Sequence, residues 1–410
     1  MDIRWFIVLA MLVLGHLYKL VLTVVQKRSA ANPTPANVAD VYDAETYEKW
    51  KRYSGEQSRL GIVSCLVSFA LEIGLLISGA YAWAASLFPE GWFWQMLAVI
   101  LFSGICETVV GVFISYYHTM VIEEKYGFNR STMKTFVTDQ IRDLLIGLIL
   151  NTLLVSLLAL IWIWLGNWML LLFTAVVFCF TLLISFLYPI FSRLGNKFVP
   201  LEEGELKDSL MGLLTKHGYK VKAIEVMDAS RRTTKLNAYF TGFGKMKTIV
   251  LYDNLVNAMS PDEICAVFAH ELGHGLHKDV LKQQTMNIGN LFLMAVVAWL
   301  AVRTEDLHTI FGFETVNFGF AYILLGIGLS LIQPLTGMAM SAYSRFAEYR
   351  ADRQAVSEGY GPMMITALKK LARENFAHLA PAKLLVVLEY SHPPLSQRIE
   401  AVEKALEEQK

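Results

Sequence analysis

Apolar residues in this chain come in long runs rather than in narrow amphipathic stripes. Seven runs reach the length of about 20 residues that a helix needs to cross a bilayer; they lie at 5–25, 62–87, 94–120, 144–164, 170–190, 286–302 and 318–340. The first is broken by His16 and Lys19 and no small-residue cleavage site follows it. It therefore reads as a retained span and not as a cleaved signal. The sixth is the shortest and also fits a buried helix. Between the runs, basic residues alternate. Lys27, Arg28, Lys49, Lys51, Arg52 and Arg59 follow the first run, and Lys125, Arg130, Lys134 and Arg142 follow the third. The connections at 89–91 and at Gly166-Asn167 hold none, and Arg303 alone separates the sixth run from the seventh. The stretch after the fifth run and the tail are rich in Lys and Arg. That alternation follows the positive-inside rule, with the amino terminus outside and the polar segments in the cytosol.

Two polar blocks remain, 192–283 and 344–410, and neither alone looks complete, so they are expected to pack together. The first predicts a helix at 203–217 and a period-two strand at 220–226. Segments 237–241 and 248–252 flank Gly242-Phe243-Gly244-Lys245, the pattern of a β-hairpin. Ser260-Pro261-Asp262-Glu263 then carries a helix start: Ser260 caps, Pro261 suits the first turn, and Glu263 completes a capping box. That helix should run to about His277. The second block predicts a helix at 344–357 and helix onward, apart from His392-Pro393-Pro394. The expected organisation is a membrane region at 1–191 with spans one to five, a catalytic region at 192–283, spans six and seven within 284–343, and a helical catalytic region at 344–410.

Composition agrees with the span count and narrows the function. The chain has 410 residues, 55% hydrophobic, and a mean hydropathy of +0.43, too apolar for an ordinary soluble protein. Its formal net charge of +0 gives no reason to expect a nucleic-acid partner. Cys65, Cys106, Cys179 and Cys265 are scattered in apolar sequence, which suits packing and not a disulfide framework. Glu107, His118, Asn151 and Asn287 fall within or near spans, where polar groups are costly against lipid. They predict either a polar, water-containing interior chamber or hydrogen bonds between helices.

His270-Glu271-Leu272-Gly273-His274 concentrates the chemistry. Residues four apart share a helical face, so the two imidazoles can meet one metal, and Glu271 can take a proton from an activated water. A hydrolytic zinc takes three protein ligands. The third is either His277 or a carboxylate elsewhere. His277 cannot converge with His270 and His274 while the helix stays regular. Glu348 and Asp352, also four apart, are the better source: Glu348 as ligand, Asp352 as the carboxylate behind a ligand histidine.

With these motifs the chain resembles the type I CAAX prenyl proteases, seven-span integral-membrane zinc metalloproteases. The resemblance also rests on the run from Asn237 to Lys245, on Ile249-Val250-Leu251-Tyr252-Asp253, on Glu123-Glu124-Lys125-Tyr126-Gly127-Phe128-Asn129, and on Ser391-His392-Pro393-Pro394-Leu395-Ser396-Gln397-Arg398-Ile399. It implies a mainly α, polytopic fold: seven transmembrane helices around a polar chamber, with a cytosolic zincin-like α+β catalytic region. One Zn2+ per chain is implied. Asn237 would mark the strand that receives substrate backbone, His392 would stabilise the oxyanion, and Arg398 would brace the carboxylates of the site. The implied partners are a polypeptide cut near its C-terminus, prenylated or not, and membrane lipids. Asn254 stands where the family usually has threonine, and the tail lacks a dilysine signal. The missing dilysine signal and the chain's compactness favour a bacterial inner-membrane member with the site facing the cytosol, the endoplasmic reticulum being the eukaryotic counterpart. The competing readings are a heat-shock type quality-control protease without prenyl requirement and a catalytically silent scaffold.

Overall fold

The computed structural model describes residues 2–193, 195–241 and 248–409. Among the described residues, six helical runs are long and apolar enough to cross a membrane. The fourth, Met133–Arg193, is 61 residues long. It breaks at Gly166–Trp168 into Met133–Leu165 and Met169–Arg193, which pack on each other, so it holds both segments expected at 144–164 and 170–190. Gly166 takes φ +54, a conformation that favours glycine, and this ends the first of the two helices. Helix Trp92–Tyr116 continues through a π-helical turn, Tyr117–Glu123, before the loop that carries Gly127.

Span seven and the helix expected at 344–357 are one element, Phe318–Ser357, 40 residues long. Asn317 caps it through Phe320 N, Pro334 lies inside it, and Ser341-Ala342-Tyr343 holds no residue able to stop a helix. This continuity matters for the site, because it carries Glu348 and Asp352 directly out of the membrane bundle.

The polar blocks form one body. Leu210, Leu251, Phe268 and Leu272 of the first share a buried core with Ala355, Met364 and Val402 of the second. A four-stranded sheet of β1 (Phe198–Pro200), β2 (Ala223–Met227), β3 (Ala238–Thr241) and β4 (Thr248–Tyr252) lies in the order β1-β2-β4-β3. β2 starts three residues later than its alternation suggested. β3 and β4 pair antiparallel, Tyr239 opposite Val250, as the hairpin reading requires; its turn, Gly242 to Lys245, lies outside the described residues. β2 and β4 pair in parallel, and β3 is an edge strand.

Candidate metal centre

Helix Pro261–Leu276 presents the histidines. Its start is the expected capping box, with Ser260 Oγ accepting from Glu263 N at 3.3 Å and Glu263 Oε2 from Ser260 N at 2.9 Å. Such a cap is worth about 1 kcal/mol. Gly273 lets this helix press against Phe318–Ser357: a Cβ there would stand 2.9 Å from Gln354 Cβ and 3.1 Å from Ala351 Cα. The close crossing lays His270 and His274 against the turns that hold Glu348 and Asp352.

The resulting geometry converges. His270 Nε2 and His274 Nε2 are 3.2 Å apart. Glu348 reaches both: Oε2 lies 3.5 Å from His270 Nε2 and Oε1 3.3 Å from His274 Nε2. The three ligand atoms fall within 4.8 Å of one another. Zinc–nitrogen bonds of about 2.05 Å in tetrahedral geometry would hold two nitrogens about 3.3 Å apart, close to the spacing seen. Glu348 is buried, and its Oε2 has no hydrogen-bond partner among the described residues. Arg398 Nη1 approaches that oxygen to 3.2 Å without hydrogen-bond geometry. A buried carboxylate that faces two imidazole nitrogens, with one of its oxygens orphaned, fits a divalent cation.

The far nitrogens are also set. His270 Nδ1 is 2.8 Å from Asp352 Oδ1, and His274 Nδ1 is 3.0 Å from Asp279 Oδ2. Donation of Nδ1–H to those carboxylates leaves both Nε2 lone pairs free for a metal. Arg398 forks onto Asp352, Nε to Oδ2 at 2.9 Å and Nη2 to Oδ1 at 2.6 Å. Burial works against charge on His274, but Glu348 and Asp279 outweigh it and push its pKa up to about 9. The carboxylates therefore stabilise positive charge at this point, whether a proton or a metal carries it. Burial pushes the Glu271 carboxyl up, with His270, His274 and Arg398 acting in the other direction. That suits a group that must bind a proton during turnover.

His392 stands at the open side of the group, its side chain 63% exposed and its Nε2 3.3 Å from Glu348 Oε1. Asn237 precedes β3, exposed, and the motif helix packs on that strand. His277 closes the motif helix as its C-cap and lies outside the ligand group. Sequence reasoning missed Asp279, buried at 3% exposure. Tyr343 Oη donates to its Oδ1 at 3.0 Å and Arg350 pairs with the same oxygen. Lys278, in the left-handed region at φ 56, turns the chain so that Asp279 folds back on His274. An acid five residues after the second histidine was the available signal.

Comparison with known proteins agrees in fold and in motif order. The family described as CAAX prenyl protease N-terminal, five membrane helices, matches residues 22–193, and peptidase family M48 matches residues 200–406. The CAAX prenyl protease 1 homolog of Oryza sativa subsp. japonica is 31% identical, covering 97% of each chain. CAAX prenyl protease 1 of Saccharomyces cerevisiae is 30% identical, covering 92% of this chain and 90% of its own length. The crystal structure of S. mikatae Ste24p superposes with a TM-score of 0.90 at 28% identity, covering 97% of this chain and 99% of that one. The molecule is thus a multi-pass membrane protease, and it belongs to the CAAX prenyl protease 1 family of M48 peptidases.

Proposed function

We propose that this chain is a zinc-dependent endopeptidase that cuts CAAX polypeptides near their C-terminus, with its site on the cytosolic side of the membrane. The convergence of His270, His274 and Glu348 carries the reading. Those three residues would hold the zinc, with Asp352 and Asp279 behind the histidines. A zinc ion bound there supplies the positive charge that acidifies a water and polarises a carbonyl. Glu271 takes the proton of the attacking water and returns it to the leaving amine. His392 donates from its imidazole to the developing oxyanion. Substrate backbone adds to the exposed edge of β3 beginning at Asn237, where strand pairing gives affinity without regard to side chains. Arg398 anchors Asp352 and leaves substrate untouched. The names of the relatives favour a CAAX substrate over general quality control.

The test is cleavage of a farnesylated CAAX peptide by the purified full-length protein, with products read by mass spectrometry. A chelator should abolish cleavage and zinc should restore it. Cleavage of an unmodified membrane protein with no action on the farnesylated peptide would reverse the choice of substrate.

A further inference from the structure

Lys19 interrupts the first apolar run, and nothing in the catalytic chemistry uses it. It sits midway along helix Ile3–Ser29, exposed, and lines two open cavities, of about 390 and 710 Å³. Among the described residues its ammonium makes no ion pair and no hydrogen bond. Of the acids that line these cavities, Glu107 in the smaller one makes no hydrogen bond or ion pair among the described residues, and the other two are engaged. Glu72 faces His16, with Oε1 3.5 Å from Nε2, and Glu389 accepts from Tyr18 Oη at 3.0 Å. An unpaired cation inside a membrane span is costly unless it meets an anion in the course of function.

The larger cavity extends from Lys19 to Tyr390, two residues before His392. Its wall includes Gly326, Ser330, Gln333, Gly337 and Ser341 of the long helix. Spaced by four, three, four and four residues, they fall on the stripe that ends seven residues later at Glu348. A Cβ at Gly326 or Gly337 would meet no atom within 4 Å, so the stripe is open at those two positions, while Ser330 between them packs against Gly15 of helix Ile3–Ser29. Helix Ile3–Ser29 lines the same cavity from Tyr18 to Gln26. Gln26 accepts from Tyr390 Oη at 3.4 Å, and Tyr390, two residues before His392, is held by Arg345 Nη1 to its carbonyl at 2.7 Å. Seven helical residues from Gln26 to Lys19 rise about 10 Å. An extended peptide covers that distance in about three residues.

We propose that Lys19 binds the C-terminal carboxylate of the substrate, which lies in this cavity with its scissile bond at the His392 end. The enzyme then reads the free C-terminus of its substrate. This rests on the proposed endopeptidase function and deepens it. The anchor is a single ion pair within a confined space, so its loss should raise KM about tenfold or more.

Two peptides identical but for a C-terminal carboxylate or amide test this on the full-length protein in vesicles of wholly zwitterionic lipid, where no anionic headgroup competes. Wild type should show a KM at least about tenfold lower for the acid. Lys19→Met and Lys19→Gln, checked for zinc content, should lose the discrimination, and Lys19→Arg should keep it. Equal KM values in wild type would overturn the carboxylate anchor while leaving the protease function standing. Discrimination that survives both neutral variants would remove Lys19 from the role. Failure to cut either peptide would overturn the endopeptidase reading, and this inference with it.

Discussion

Asp352→Asn should weaken zinc binding without removing any ligand. Asp352 is 1% exposed and serves two partners at once: His270 Nδ1 at 2.8 Å, and the Arg398 fork at 2.9 and 2.6 Å. An asparagine of the same shape keeps one acceptor oxygen. Its amide nitrogen must then face either the imidazole N–H or the guanidinium, donor against donor. The negative charge that raises the basicity of His270 is lost as well. Replacing a carboxylate behind a ligand histidine ordinarily lowers metal affinity about 10- to 100-fold, or about 1.4 to 2.7 kcal/mol. Competition for zinc against a chromophoric chelator, on the full-length protein in detergent, measures that loss. Asp279→Asn should act in the same direction through His274. Zinc affinity unchanged in Asp352→Asn would refute the claim that the carboxylate tunes its histidine.

Other consequences are open to measurement. Gly273→Ala gains about 1 kcal/mol of helix propensity but forces a methyl to 3.1 Å from the Ala351 backbone. Overpacking of that kind costs about 1–3 kcal/mol, so the net should be a lower Tm and reduced zinc content, and a raised Tm would contradict the crossing described. Glu358, whose side chain is 3% exposed, meets Lys216 and His217 at 2.7 Å each. Burial works against its anion, yet those partners hold its carboxyl below the ordinary value. Its contribution is therefore present above about pH 4.3, the value of a free glutamate, and fades as pH falls through the lower folded value. Glu358→Gln should cost about 1 kcal/mol at pH 7 and progressively less in acid, read from thermal unfolding; a cost that grows in acid would reverse the sign. Asn237→Ala should raise KM with zinc content unchanged, and a fall in zinc would instead make it part of the metal site.

Local signals explain what could be read from the sequence. Four-residue spacing placed His270 with His274 and Glu348 with Asp352 on shared faces, because a regular helix fixes that geometry by itself. The capping box at Ser260 was legible for the same reason. Nonlocal pairings were not. The parallel contact of β2 with β4 joins segments with no local register signal, and β1 is only three residues long. The Asp279 contact with His274 depends on one left-handed residue, Lys278, which is not a type that announces such a conformation. The single helix Phe318–Ser357 was divided because its polarity changes where it leaves the apolar region, although its backbone does not.

Glu271→Gln tests the central claim most directly. The substitution removes the base and leaves His270, His274, Glu348 and both supporting carboxylates in place. The purified variant should bind one zinc per chain and leave a CAAX peptide uncut under conditions in which wild type cleaves it. Zinc-loaded Glu271→Gln that cleaves the peptide at a rate comparable to wild type would contradict the mechanism.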